Sequence, residues 1–218
     1  TVPIKKLAGL KITSDSSLIV HDSERSALIL FNFNGKFINK LENVGRGPES
    51  YTNIDDFSIT EEKTVQILDG RRQIIQEYSL PGFDYLSSQQ IPFYAKKFTP
   101  NSFGHTFYRG NNANNKESKK FFYNIINTDS SYNILSKYQP YNIKTGAAYF
   151  SLFTKNIISA QSSNILYNKF PNDTTFTIKK NGNFEPYFIH DFKERTVPID
   201  KKDFSNALDY LRELTNPA

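Results

Sequence analysis

The sequence has no cysteine, no methionine and no tryptophan among its 218 residues. Without cysteine the chain can form no disulfide, no thiolate zinc site and no cysteine nucleophile. It also has no run of about eighteen or more apolar residues, so no segment has the length and hydropathy of a membrane-spanning helix. Because methionine is absent and the chain begins Thr1-Val2-Pro3, we expect it to be part of a longer protein.

Dense charge of one sign is also lacking. The formal net charge is +5, but the 27 lysines and arginines are scattered among 22 carboxylates and form no long basic run. A nucleic-acid site usually needs basic residues clustered on one face or along one element. We therefore expect a solvated basic surface and no nucleic-acid partner.

The chain is rich in residues that favour strands. It is 38% hydrophobic and 15% aromatic, with 19 phenylalanines and 13 tyrosines. Aromatic and β-branched side chains pack well on a half-buried pleated surface, and the length suits one domain with a sizeable core. These features predict an all-β protein.

A repeat of strands and turns organises the first half of the chain. Residues 17–41 and 64–91 both have the pattern strand, polar turn, strand, glycine turn, strand. Identical residues recur 47 positions apart in the two stretches: Asp22 and Asp69 (69 − 22), and Gly35 and Gly82 (82 − 35). A four-stranded unit that repeats every 40 to 50 residues is typical of a β-propeller blade, with a β-sandwich of similar hairpins as the alternative.

Four such units are predicted. The strands of the first two units are 7–13, 17–22, 27–32 and 36–41, then 55–60, 64–69, 73–79 and 83–91. Those of the third unit are 95–99, 105–110, 121–127 and 134–138, with a long polar loop at 111–120. The fourth unit spans 147–192, with strands 165–168, 174–179 and 184–189 and an Asn181-Gly182 turn.

The tail has a different pattern. Asp203 is a suitable N-cap, and apolar residues follow at helical spacing: Phe204, Ala207, Leu208, Leu211 and Leu214. We predict blades over residues 1–200 and a short amphipathic helix over 201–218, packed on or between the blades.

Two motifs carry a family resemblance. Residues 45–51, Gly-Arg-Gly-Pro-Glu-Ser-Tyr, resemble the G-x-G-P-x-x-[FY] junction of NHL-type propeller repeats, and residues 33–37 resemble the lead-in to it. Residues 172–178, followed by Asp191-Phe192 and by 197–199, are similar to a motif of a six-bladed β-propeller family of Bacteroidetes cell-envelope proteins. This resemblance implies six blades in the complete protein, about four of them here. It also implies location in the periplasm or outer envelope, with any membrane attachment through a lipid anchor outside this stretch.

No catalytic constellation is evident. His21, His105 and His190 have no second histidine or carboxylate at metal-ligand spacing. The adjacent carboxylates 55–56 and 61–62 point to opposite faces of a strand. We expect no metal and no cofactor, and we favour a non-enzymatic binding or scaffold module of the cell envelope. The alternative is a hydrolase or lyase whose site at the mouth of the propeller channel uses residues from blades outside this stretch.

A basic surface is predicted at one end of the blades. The loop between the second and third strands of a blade and the loop to the next blade emerge on the same face. That face collects the arginine patch: Arg25, Arg46, Arg71 and Arg72. Guanidinium groups suit an anionic glycan or an acidic protein surface. The alternative is that these arginines pair with carboxylates of the same loops: Asp22, Glu24, Glu49 and Asp69.

Overall fold

The computed structural model describes residues 2–109, 122–140, 158–161, 164–168, 174–179 and 183–191. Every regular element in these ranges is a β-strand. No helix among the described residues is long and apolar enough to cross a membrane. The strands form four separate four-stranded sheets, each ordered as in the chain, and the all-β prediction is therefore confirmed.

We call the sheets blades 1 to 4. The strands of blades 1 and 2 are β1 Leu7–Ile12, β2 Leu18–Asp22, β3 Ala27–Phe31, β4 Phe37–Leu41, β5 Asp56–Ile59, β6 Thr64–Asp69, β7 Ile74–Ser79 and β8 Tyr85–Gln90. Those of blades 3 and 4 are β9 Lys97–Asn101, β10 Gly104–Tyr108, β11 Tyr123–Thr128, β12 Ile134–Pro140, β13 Ile158–Gln161, β14 Asn164–Asn168, β15 Thr174–Ile178 and β16 Phe184–Ile189.

Each blade is an antiparallel meander. In blade 1, β2 pairs with β3 from Leu18↔Phe31 to Asp22↔Ala27. In blade 2, β6 pairs with β7 from Thr64↔Ser79 to Asp69↔Ile74. The corresponding strands β2 and β6 lie in different sheets, as a blade repeat requires.

The glycine turns were only partly predicted. At the β3–β4 turn, Gly35 has φ +73°, and Asn32 N–H donates to the Lys36 carbonyl at 2.9 Å. In blade 2 the left-handed residue is Phe83 (φ +59°) and not Gly82, because Phe83 N–H closes the turn on the Ser79 carbonyl at 2.9 Å. The predicted strand 83–91 was therefore too long, and β8 begins at Tyr85.

The chain forms two compact units, Thr1–Phe98 and Thr99–Ala218. In the first, the facing sides of blades 1 and 2 bury one apolar core: Ile19, Leu28, Leu30, Leu41, Tyr51, Ile54, Phe57, Val65, Ile67, Tyr78 and Phe83. In the second, a core joins blades 3 and 4: Tyr108, Ile125, Ile165, Tyr167 and Ile178. The middle strands of a blade are thus buried, while the fourth strands β8 and β16 are largely exposed.

Several predicted features lie outside the described residues. They are the loop 111–120, the Asn181-Gly182 turn, Asn172 and Asp173 of the Asn-Asp-Thr segment, residues 192 and 197–199, and the helix at 201–218.

Candidate functional site

The loop from blade 1 to blade 2, residues 42–55, is fixed by a buried tyrosine. Tyr51 is fully buried, and its hydroxyl donates to the Ser26 carbonyl at 2.8 Å. The same oxygen accepts from Asn43 N–H at 3.2 Å. Since Ser26 lies in the β2–β3 loop, Tyr51 holds these two loops together.

Blade 2 anchors the same loop. The Tyr78 hydroxyl donates to the Glu49 carbonyl at 2.8 Å, and the Gln76 amide donates to the Pro48 carbonyl at 3.2 Å. The glycine-proline junction is therefore a fixed platform attached to both blades.

The repeated aspartates have a structural role. Asp69 is fully buried and accepts from Thr52 N–H at 2.6 Å, from the Thr52 hydroxyl at 2.7 Å and from Arg72 N–H at 3.1 Å. In blade 1, Asp22 likewise accepts from Lys5 N–H at 3.0 Å and Lys6 N–H at 3.1 Å. Thr52 and Lys5 are also 47 residues apart (52 − 5), so each blade uses its aspartate to hold the segment that leads into it.

The charge state of Asp22 follows from these contacts. Burial alone would raise the pKa of Asp22, but the N–H groups of Lys5, Lys6 and Glu24, with help from Arg25, hold it below the ordinary value. The carboxylate is therefore ionised at neutral pH. It serves as an acceptor for backbone N–H groups and not as a proton donor.

Two of the four predicted arginines are committed to contacts within the protein. Arg25 lies 3.9 Å from Asp22 and donates to the Pro3 carbonyl at 2.8 Å. The Arg72 guanidinium donates to the Ser50 carbonyl. The pairing alternative thus holds for Arg25, and Arg72 joins the β6–β7 loop to the junction loop.

The other two arginines are exposed. No hydrogen bond or ion pair within the described residues involves the side chain of Arg46 or Arg71. Arg71 lies next to Arg72 in the β6–β7 loop, and Arg46 lies four residues before Ser50 in the junction loop. The Arg72–Ser50 contact therefore brings the loops of Arg46 and Arg71 together. Two guanidinium groups on fixed loops can therefore bind an external anion.

A partly buried carboxyl lies beside Arg71. Asp55 accepts from Gly70 N–H at 2.8 Å and from the Asn53 amide at 3.0 Å. Burial raises its pKa, the charge of Asp69 adds to this, and Gly70 N–H and Arg71 oppose it. The carboxyl of Asp56 instead accepts from Phe98 N–H at 3.0 Å, so these adjacent carboxyls face different segments.

The histidines have structural surroundings. His105 stacks on Tyr132 at 4.7 Å between ring centroids, and burial lowers its pKa to about 4. His190 lies 3.1 Å from the Thr175 hydroxyl. Burial lowers the pKa of His21 against the opposing charge of Asp22. The described part of the chain contains no group of three or more metal-ligating side chains.

Tyr51 gives the fold a predictable response to alkali. Burial raises the pKa of Tyr51 to about 12, so the folded chain keeps this proton between about pH 10 and 12, where the unfolded chain loses it. The stabilisation of the folded chain by the protonated Tyr51 hydroxyl is complete below about pH 10 and is lost as the pH rises through this window. We expect Tyr51 alone to lower the free energy of unfolding by about 2–3 kcal/mol across it.

Urea unfolding at pH 8, 10 and 11.5 measures this loss. In Tyr51→Phe the decline between pH 8 and 11.5 should be smaller by about 2 kcal/mol, whereas replacing the exposed Tyr187 by Phe should leave it unchanged. Equal declines in the wild type and in Tyr51→Phe would contradict the expectation.

Comparison with known proteins adds a family and a fold. The sequence profile of the family described as "Domain of unknown function (DUF4934)" matches residues 4–213. No curated protein matches the chain.

Among solved structures, the chain is similar to a putative exported protein (BF0058) from Bacteroides fragilis NCTC 9343. The TM-score is 0.78 at 19% identity, over 96% of this chain and 60% of that one. A member of the DUF4221 family from Bacteroides vulgatus ATCC 8482 gives a TM-score of 0.58 at 7% identity, over 86% and 59%. A streptogramin B lyase gives 0.54 at 14% identity, over 86% and 56%.

At these identities the likeness shows the fold, and the predicted β-propeller is confirmed. The chain spans about 60% of the length of the first of these proteins.

Proposed function

We propose that this chain, which belongs to the DUF4934 family, is a non-enzymatic binding module of the bacterial cell envelope. This proposal is supported by its fold, which it shares with a Bacteroides fragilis protein described as a putative exported protein. The ligand of this chain is an anionic glycan held by Arg46 and Arg71. The observation that carries this proposal is a pair of exposed guanidinium groups that form no hydrogen bond or ion pair with the described part of the chain and lie on loops fixed by Tyr51, Tyr78 and Arg72.

The surroundings of the two arginines favour a glycan over a protein. Protein interfaces have an apolar centre that excludes water. The described loops that carry the arginine patch expose one large apolar side chain, Val44 at 53%. Carboxylate or sulfate groups along a glycan can instead accept the paired N–H donors of a guanidinium without an apolar centre.

We further propose that the complete protein is a six-bladed, NHL-like ring, attached to the envelope by a lipid anchor outside this stretch. Four blades in about 60% of the length of BF0058 support this blade count.

Removal of the two exposed arginines tests the glycan proposal. We expect Arg46→Ala/Arg71→Ala to weaken binding of polygalacturonate about tenfold or more, since charge-assisted hydrogen bonds contribute about 1.5–3 kcal/mol each. The salt dependence between about 50 and 200 mM NaCl should also become shallower. Arg72 stays in place because its guanidinium holds the junction loop.

The matched control is Lys36→Ala/Lys63→Ala, which removes the same charge from exposed turns between β3 and β4 and between β5 and β6. Unchanged affinity in the arginine variant would refute the proposal. Stronger binding of polyglutamate than of polygalacturonate would instead indicate an acidic protein partner.

A further inference from the structure

Three charged side chains meet on the first strands of successive blades, within the unit Thr1–Phe98. They are Lys11 on β1, Asp56 on β5 and Lys97 on β9, and each is partly buried. In a propeller blade the first strand is the one nearest the central channel. We call these residues the lysine–aspartate cluster; it does not include the arginine patch.

The cluster is held in place by its neighbours. Asp56 accepts from Phe98 N–H at 3.0 Å. The Lys11 ammonium lies 5.6 Å from the centroid of the Phe57 ring, a cation–π contact that holds it beside β5. Asp56 interacts electrostatically with both Lys11 and Lys97, yet no ion pair among the described residues joins it to either.

The charges of the cluster are not balanced. Two ammonium groups and one carboxylate give a formal charge of +1. Burial lowers the pKa of Lys11 although Asp56 opposes this, and Lys97 lowers it further. Burial raises the pKa of Asp56 against the opposing effects of Lys11, Phe98 N–H and Lys97. Lys11 and Asp56 are thus removed from water without full compensation by the other charges of the cluster.

We propose that the lysine–aspartate cluster binds a singly charged oxyanion group of a ligand, a carboxylate or a sulfate ester, between Lys11 and Lys97. Each ammonium has three donors and no acceptor, so both can donate to one oxyanion. A monoanion brings the formal charge of the cluster to zero. A phosphate monoester, with about 1.5 to 2 negative charges at neutral pH, exceeds that balance.

Titration calorimetry on the whole chain at pH 7 tests this site with three probes: glucuronate, methyl sulfate and inorganic phosphate. The first two distinguish a carboxylate from a sulfate ester. We expect at least one monoanion to bind more tightly than phosphate. Lys11→Met and Lys97→Met, made separately, should each weaken that binding about tenfold or more. The control is Lys40→Met, on the fourth strand of blade 1, where Lys40 pairs with Glu42.

A second readout follows the lysine directly. In NMR spectra of the chain with 13C-dimethylated lysines, the pKa of Lys11 should rise when the probe binds, since an added negative charge stabilises the ammonium. Arg46→Ala/Arg71→Ala should bind the probe normally, so failure of the glycan proposal leaves this one intact.

The site is refuted if neither monoanion binds, if phosphate binds more tightly than both, or if both lysine variants bind as Lys40→Met does. It is also refuted if the pKa of Lys11 does not move on binding.

Discussion

Asp69→Ala is expected to lower the free energy of unfolding by about 3–5 kcal/mol, the range for removal of a buried charged partner. The substitution leaves three donors without their acceptor: Thr52 N–H, the Thr52 hydroxyl and Arg72 N–H. Asp69 is fully buried, so water cannot readily replace the lost oxygens. The segment that leads into blade 2 also loses its attachment to that blade.

Urea unfolding of the wild type, Asp69→Ala and Asp69→Asn measures this effect. The asparagine variant keeps one oxygen acceptor and should fall between the other two. Replacing the exposed Glu62 by alanine is the control and should change stability by less than about 0.5 kcal/mol. A loss below about 1 kcal/mol in Asp69→Ala would show that Thr52 and Arg72 find other acceptors.

Gly70→Ala is expected to cost about 2–4 kcal/mol through a clash with backbone. A Cβ at this position would lie 2.2 Å from the Ala95 carbonyl oxygen and 3.0 Å from the Asp55 carboxylate. The carbonyl belongs to the main chain and cannot rotate away as a side chain can. The β6–β7 loop would therefore have to move, and the Gly70 N–H bond to Asp55 would move with it.

Gly47→Ala is the matched control, because a Cβ there would meet only the Ser50 hydroxyl, at 3.4 Å. Thermal unfolding of both variants beside the wild type gives the comparison. Equal shifts of Tm in the two variants would mean that the cost lies in glycine flexibility and not in the approach of Ala95.

The fold could be predicted because its signal is periodic. Strand-favouring aromatic and β-branched residues, turn glycines and the 47-residue spacing each point to the same four-stranded unit. Ends of strands were less predictable, since Phe83, which was predicted to begin a strand, takes the left-handed conformation within the turn. A bulky residue can occupy that region when a hydrogen bond, here to the Ser79 carbonyl, fixes the turn.

The candidate sites were predictable only in part, for physical reasons. The sequence showed that Asp22 and Asp69 repeat, but their partners Lys5 and Thr52 share no side-chain type, because the donor that the two sites have in common is a backbone N–H group. For the same reason the sequence could not show that Arg72, and not its neighbour Arg71, forms a contact within the protein, because the acceptor of Arg72 is the main-chain carbonyl of Ser50.

The lysine–aspartate cluster was missed altogether. Its members lie 45 and 41 residues apart (56 − 11 and 97 − 56), and a search for charged pairs close in sequence does not connect them. Only the positions of the first strands of neighbouring blades bring them together.

The aspartate contacts also bear on how such a chain folds during synthesis. The bond from Lys5 to Asp22 and the bond from Thr52 to Asp69 each span 17 residues. Closing loops of this length is fast compared with the addition of residues at about 5–20 per second. Blades 1 and 2 can therefore each fasten their own beginning as soon as their second strand has emerged, before the following blade exists. Folding of this part of the chain can then proceed from blade 1 to blade 2.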